Sequence, residues 1–185
     1  MDAGTWLAVF AGIVIAAACG LRAFLPLLVL GLAARAGFVE LDPRAGWLAG
    51  NLALIALGAA TVIEIAADKI PVVDHALDAV ATLIRPAAAW LGASALFHDW
   101  PAPWGPLVAF TLAALALGVH AAKAKLRLGT TAVTLGHGNP VVSALEDVAA
   151  FVMALLAVVV PVVAVGLVIL IAVSLLRRRP RPAGR

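Results

Sequence analysis

The sequence contains few charged residues and a single cysteine. Charged side chains make up 12% of its 185 residues against 64% hydrophobic ones, a balance that excludes an ordinary soluble domain and intrinsic disorder. The lone Cys19 excludes an internal disulfide and a multi-cysteine metal site. No basic residue precedes the apolar stretch that begins at residue 5, and more apolar sequence follows it. A cleaved secretory signal is therefore not expected.

Long hydrophobic stretches divide the chain into five blocks. They cover residues 5–36, 46–67, 72–97, 106–122 and 148–176. A helix needs about 20 residues to cross a bilayer, so the first and last blocks are too long for one straight crossing. Pro26 and Pro161 lie inside these two blocks. We predict an all-α, polytopic integral membrane protein with about 5 to 6 membrane segments, some of them broken helices.

Basic residues are concentrated near the C-terminus. Five arginines lie in the last nine positions, so we expect one transmembrane domain over 1–176 and a basic tail at 177–185. Such a tail suits contact with anionic lipid headgroups and does not indicate nucleic-acid binding. Lys123, Lys125 and Arg127 follow the fourth block. The positive-inside rule then predicts a cytoplasmic loop there and a cytoplasmic C-terminus.

The composition also favours a particular membrane. Ten arginines against three lysines, together with abundant alanine, are typical of a GC-rich bacterial genome. The hydrophobic pattern is that of helices and not of a barrel. We therefore expect a bacterial inner (cytoplasmic) membrane protein.

A weak internal repeat relates two parts of the chain. The two halves are 46–97 and 106–176. Pro71 precedes Asp78 by seven residues, and Pro140 precedes Asp147 by seven residues. In many transporters, interrupted segments of two repeats meet near the membrane midplane. The alternative is two unrelated helices that each begin with a proline and carry early acids, which the helix dipole favours in any case.

Ionisable residues gather where the apolar blocks begin and end. Glu64 and Asp68 are four residues apart and share a helix face, and Asp74 and Asp78 share a face of the next helix. Since an ionised acid near the bilayer centre costs about 2.5–3.5 kcal/mol, these acids lie either at the interface or around a polar cavity with their countercharges. The predicted ion or substrate path consists of Glu64, Asp68, Lys69, Asp74, Asp78, Arg85, Glu146 and Asp147, with Arg22 and Asn139 as secondary residues.

Arg22 interrupts the first apolar block. It either extends to an interface or pairs with an acid of the third or fifth block at a helix break. Asp74 and Asp78 match only the second half of the double-aspartate signatures that hold magnesium in intramembrane transferases. The four histidines lack the spacing of metal ligands. We therefore predict no metal, no cofactor and no catalytic residue.

Three stretches resemble a known protein family. They are GLRAFLPLLVLGLAARAG at 20–37, EIAADKIPVVDHALDAVATLIRP at 64–86 and SALEDV at 143–148. Together they are similar to the bacterial membrane proteins of the domain of unknown function family 4126. The resemblance implies membrane residence but no established activity, and at Arg22 it leads us to expect a small or amide side chain.

Two functional interpretations follow. The leading one is a small transporter or channel-like protein for ions or small solutes, with Asp78 and Asp147 as an equivalent pair of acids. The alternative is a non-catalytic membrane scaffold or assembly factor, in which these charges form interfacial salt bridges and small residues such as Gly12 and Gly20 pack the helices. A homo-oligomer is compatible with both. A metal-dependent intramembrane enzyme is the least favoured.

Overall fold

The computed structural model describes residues 3–68, 71–97, 100–101, 103–135 and 137–177, and it describes side chains for all of these except 3, 71–79, 162 and 164–177. The described ranges contain helices and no strand. In chain order these are α1 (Ala3–Leu21), α2 (Phe24–Arg35), a 3-10 helix (Pro43–Ala49), α3 (Asn51–Ala67), α4 (Pro71–Leu96), α5 (Trp104–Thr134) and α6 (Asn139–Arg177).

Three described helices are long and apolar enough to cross a membrane. They lie at Gly4–Leu21, Trp104–Thr134 and Asn139–Pro161. The 3-10 helix and α3, bent by 64° at their junction, add a fourth if they form one span. The helical membrane class is thus supported, but the prediction of about 5 to 6 segments is wrong.

The overestimate has two causes. The 12-residue α2 is too short to count as a crossing. The last block is too long for one straight crossing and could have been broken at Pro161 into two passes, yet α6 continues through this proline as one helix. A proline removes one backbone hydrogen bond, which a membrane helix tolerates when its surroundings compensate.

The fourth block also extends further than predicted. We expected a loop after residue 122, but α5 continues to Thr134. Lys123 and Arg127 are buried on this helix, whereas Lys125 is exposed. Lys123 and Arg127 are therefore no evidence for a cytoplasmic loop, because acidic partners within the protein accommodate their charges.

The break predicted inside the first block is confirmed. Helix α1 ends at Leu21 and α2 begins at Phe24. Pro26 lies in the first turn of α2, where its missing N–H costs nothing. The prolines of the predicted repeat lie in the first two positions of α4 and α6, and the repeat itself stays a prediction.

Small residues bring α1 close to its neighbours. A Cβ atom at Gly20 would lie 2.6 Å from the carbonyl oxygen of Ala116 and 2.6 Å from the Cβ of Val119, both on α5. Large apolar side chains point outward instead, and Leu52 and Phe110 are 82% and 72% exposed. Alanine-rich contacts inside and large aliphatic residues outside are the arrangement expected when hydrocarbon is the solvent.

Replacing this glycine tests the close approach of α1 to α5. We expect Gly20→Ala to lower the stability of the full chain by about 1–3 kcal/mol, because the added methyl group collides with the Ala116 carbonyl oxygen and the Val119 side chain on α5. The matched control is Gly58→Ala, whose Cβ would meet nothing within 4 Å. The control should be neutral or stabilising by up to about 1 kcal/mol. Thermal unfolding in detergent measures both, and equal melting temperatures would contradict the packing described.

Candidate functional site

Buried charged side chains surround the break between α1 and α2. We call this set the ion-pair network. It consists of Arg22, Glu64, Asp68, Arg85, Lys123, Arg127, Glu146 and Asp147. Among the side chains that the structure describes, four members are basic and four are acidic, so this described set is formally neutral. It links the α1–α2 junction to α3, α4, α5 and α6, which makes it the polar meeting point of an otherwise apolar bundle.

Asp68 lies at the centre of the network. It follows the last residue of α3, outside the candidate membrane spans. Its Oδ2 atom lies 2.7 Å from Arg127 Nη2 and 3.4 Å from Lys123 Nζ, and it also accepts a hydrogen bond from Arg22. Burial by itself raises the pKa of the Asp68 carboxyl, but Lys123, Arg22 and Arg127 hold that pKa below its ordinary value. One carboxylate therefore pairs with three cations.

Arg22 is buried completely, with 0% of its side chain exposed. Besides Asp68 it pairs with Asp147, whose Oδ1 lies 2.6 Å from Arg22 Nε. Its Nη2 atom donates to the Ser143 hydroxyl at 3.0 Å. Of the two alternatives for Arg22, the structure shows pairing with acids at a helix break.

Glu146 completes the arrangement on α6. Its Oε2 atom lies 2.9 Å from Arg127 Nη2 and 3.1 Å from Lys123 Nζ. Adjacent acids on α6 thus serve different cations, since Asp147 pairs with Arg22. Asp68, Glu146 and Asp147 share Arg22, Lys123 and Arg127, so these six charges form one connected cluster. The pair of Glu64 and Arg85 lies beside this cluster.

The helix break itself is stabilised by members of the network. At the start of α2, Glu64 accepts hydrogen bonds from the amides of Ala23 at 2.9 Å and Phe24 at 3.3 Å. At the end of α1, Arg85 donates to the Gly20 carbonyl at 3.2 Å, and Lys123 donates to the Leu21 carbonyl at 3.3 Å. These are the backbone groups that a helix leaves without partners at its ends. An acid at the N-terminus and cations at the C-terminus also match the helix dipoles.

His120 extends the network along α5. Its ring contacts the guanidinium of Arg85, and its Nε2 atom lies 3.3 Å from the hydroxyl of Thr82. Arg85 also lies 3.8 Å from Glu64. Since a guanidinium only donates, the His120 nitrogen that faces Arg85 is the acceptor of this contact.

Sequence reasoning missed three residues of this region. His120, Lys123 and Arg127 are spaced by three and four residues, which places them on one face of α5. This spacing was the available signal. It went unused because the lysine and arginine were assigned to a loop and the histidine was considered alone.

The structure unites most of the predicted site residues. Glu64, Asp68, Arg85, Glu146, Asp147 and Arg22 all belong to the network. Lys69 and the side chains of Asp74 and Asp78 lie outside the described residues, so the predicted pairing of Asp78 with Asp147 stays a prediction. Asn139 lies apart, at the start of α6, where its amide donates to the Thr131 hydroxyl at 2.8 Å.

Among the described residues, no group of three or more histidines, cysteines or acids is arranged to hold a metal ion. The acids of the network instead face guanidinium and ammonium groups. What this arrangement can do chemically is exchange ion-pair partners, because several oxygens and nitrogens lie within reach of more than one opposite charge.

A cleft of about 180 Å³ opens beside the network between α3 and α4. Glu64, Asp68 and Arg85 line it together with apolar residues that include Phe24 and Ile63. The cleft therefore provides a route from the protein surface to charged groups at the helix break.

Comparison with known proteins yields one family. The sequence model of the family described as "Domain of unknown function (DUF4126)" matches residues 9–180. No curated protein and no solved structure matches the chain.

Removing the charge of Asp68 tests whether the network holds the helices together. We expect Asp68→Asn to destabilise the full chain by about 3–5 kcal/mol, because it leaves three buried cations short of a counterion. The control is Glu40→Gln, which neutralises an exposed acid and should change stability by at most about 0.5 kcal/mol. Both are measured by thermal unfolding in detergent. A melting temperature for Asp68→Asn equal to that of the control would rule out the central role of Asp68.

Proposed function

We propose that this chain, which belongs to the DUF4126 family, is a small membrane transport protein for ions or small solutes in which the ion-pair network is a closed gate. The observation that carries the proposal is the neutral network of four cations and four anions at a broken helix. Opening the path means exchanging partners within this network.

Energetics favour a functional role over a purely structural one. Burying a charge has a large desolvation cost, and a buried ion pair is often no more stabilising than well-packed apolar residues. A membrane protein that only needed to hold its helices together could use the small-residue packing already present around α1. Ionisable residues within membrane bundles commonly mark ion or substrate pathways.

The interrupted helix supports the same proposal. Discontinuous helices place unpaired amides and carbonyls inside a membrane protein, and transporters use such ends to bind substrates and ions. Here the ends of α1 and α2 are satisfied by side chains, namely those of Arg85, Lys123 and Glu64. Side chains can leave these backbone groups when a ligand replaces them.

The cellular placement is part of the proposal. A helical, arginine-rich chain suits the bacterial inner membrane. The five arginines within 177–185 favour a cytoplasmic C-terminus in contact with anionic lipid headgroups.

One observation favours the scaffold alternative. Among the described residues, the eight network charges neutralise each other, so the network can also act as a permanent lock between helices. A lock predicts no solute movement at all, which makes the two functions separable by a flux measurement.

Solute entry into proteoliposomes provides this measurement. Vesicles shrink in a hyperosmotic solution and swell again as the solute enters, and stopped-flow light scattering follows the volume. We expect faster swelling than in protein-free vesicles with at least one of potassium chloride, sodium phosphate or leucine. Asp147→Asn should change that rate by about tenfold. Arg22 loses one of its partners in this variant, which changes the activation free energy of gate opening by about 1.4 kcal/mol.

Glu40→Gln serves as the control, because this exposed acid lies outside the network. Its swelling rates should equal those of the unmodified chain. If proteoliposomes that contain folded protein swell no faster than empty vesicles with all three solutes, the transport proposal is wrong and the scaffold alternative remains.

A further inference from the structure

We infer that the cleft between α3 and α4 binds a small zwitterion that carries an apolar group. This inference rests on the proposed transport function and names its substrate class. The cleft brings an acidic group, a basic group and an apolar wall to one place. Each of these three features sets one requirement for the ligand.

The charged end of the cleft is formed by Glu64 and Arg85. Their closest atoms, Oε1 and Nη2, are 3.8 Å apart, a longer separation than in the other ion pairs described above. At this distance the two groups attract each other without a direct hydrogen bond. The side chains are 11% and 2% exposed, so they are nearly withdrawn from water. Separating this pair to admit a ligand costs less than separating the directly hydrogen-bonded pairs around Asp68.

The anion-binding half consists of Arg85 and the start of α2. The amides of Ala23 and Phe24 point at the Glu64 carboxylate, which acts as an internal anion on this helix end. Both residues line the cleft. A ligand carboxylate or phosphate that displaces Glu64 would meet the same two amides and the guanidinium of Arg85.

The cation-binding half is then Glu64 itself. Once displaced from the amides, its carboxylate needs a new donor, and a ligand ammonium group supplies one. Asp68 also lines the cleft, but its Oδ2 atom already serves three cations of the network. Of the two described acids that line the cleft, Glu64 is therefore the one available to the ligand.

Charge balance selects a ligand that carries both signs. A simple anion would displace Glu64 from the amides and leave that carboxylate beside the new negative charge. A simple cation would be repelled by Arg85 while Glu64 stayed bound to the amides. A zwitterion satisfies both groups and keeps the buried region neutral, which avoids the cost of an uncompensated charge.

The remaining wall determines the rest of the ligand. It is formed by Phe24, Ala60, Ile63, Val80 and Ile84, all of them apolar. A volume of about 180 Å³ limits the occupant to a small molecule or a single headgroup. Two sources share this chemistry, namely a free amino acid with an aliphatic side chain and the headgroup region of phosphatidylethanolamine.

Binding of leucine to the purified full chain tests the inference. We expect leucine to raise the melting temperature by about 5–10 °C at about a hundred times its Kd. Isocaproate, which lacks the ammonium group, and isoamylamine, which lacks the carboxylate, should give no shift at the same concentration. For the lipid source, protein in phosphatidylglycerol nanodiscs should be stabilised by added phosphatidylethanolamine, and this lipid should compete with radiolabelled leucine.

Two variants, one that removes a charge and one that does not, distinguish a loss of binding from a loss of folding. Glu64→Gln removes the ammonium partner and should weaken binding by at least about tenfold, the loss expected for one charged hydrogen bond. Ala60→Leu fills the cleft without altering a charge and should weaken binding as well. Glu40→Gln, the exposed-acid control, should bind like the unmodified chain.

Each outcome decides the inference. Stabilisation by leucine or phosphatidylethanolamine that is lost in both variants supports it and identifies the source. Equal shifts of the melting temperature with leucine and isocaproate would make this an anion site. No shift with any zwitterion would leave the cleft without the proposed ligand. Either result overturns the inference. Swelling without zwitterion binding removes this inference alone, whereas binding without solute entry removes the transport proposal alone.

Discussion

The structure depends on a single carboxylate, that of Asp68, which is shared by three buried cations. Arg22, Lys123 and Arg127 come from the α1–α2 junction and from α5, and all three converge on this acid at the end of α3. Three cations in such proximity repel one another strongly in a medium of low dielectric constant. The acids at the end of α3 and on α6 make their burial tolerable, so the positions of these helices are coupled through charge.

The same charges explain why the first hydrophobic block is broken. A helix end inside an apolar bundle leaves amides and carbonyls without partners, which is costly away from water. Glu64 accepts from the first amides of α2, while Arg85 and Lys123 donate to the last carbonyls of α1. Network and helix break thus stabilise each other. A rearrangement of one requires a rearrangement of the other, which is the property expected of a gate.

Much of this could be predicted from the sequence, and the remainder depends on long-range pairing. Hydropathy gave the helical membrane class, and the interruption at Arg22 indicated the break. Hydropathy also treated Lys123 and Arg127 as the end of a span, because a local pattern does not reveal that Asp68, 55 and 59 residues earlier, lies beside both. The number of spans was overestimated for a similar reason. Pro161 is compatible with a continuous helix, and sequence alone does not distinguish a kink from a break.

A double-mutant cycle on Lys123 and Glu146 tests the central claim, that these buried charges act as one coupled network, most directly. The pair is 3.1 Å apart and joins α5 to α6. Unfolding free energies of Lys123→Met, Glu146→Gln and the double variant give the coupling energy. We predict about 1–3 kcal/mol, with the double variant more stable than the sum of the single effects implies. Strictly additive effects would show that the two charges do not interact, and the account of a coupled network would fail.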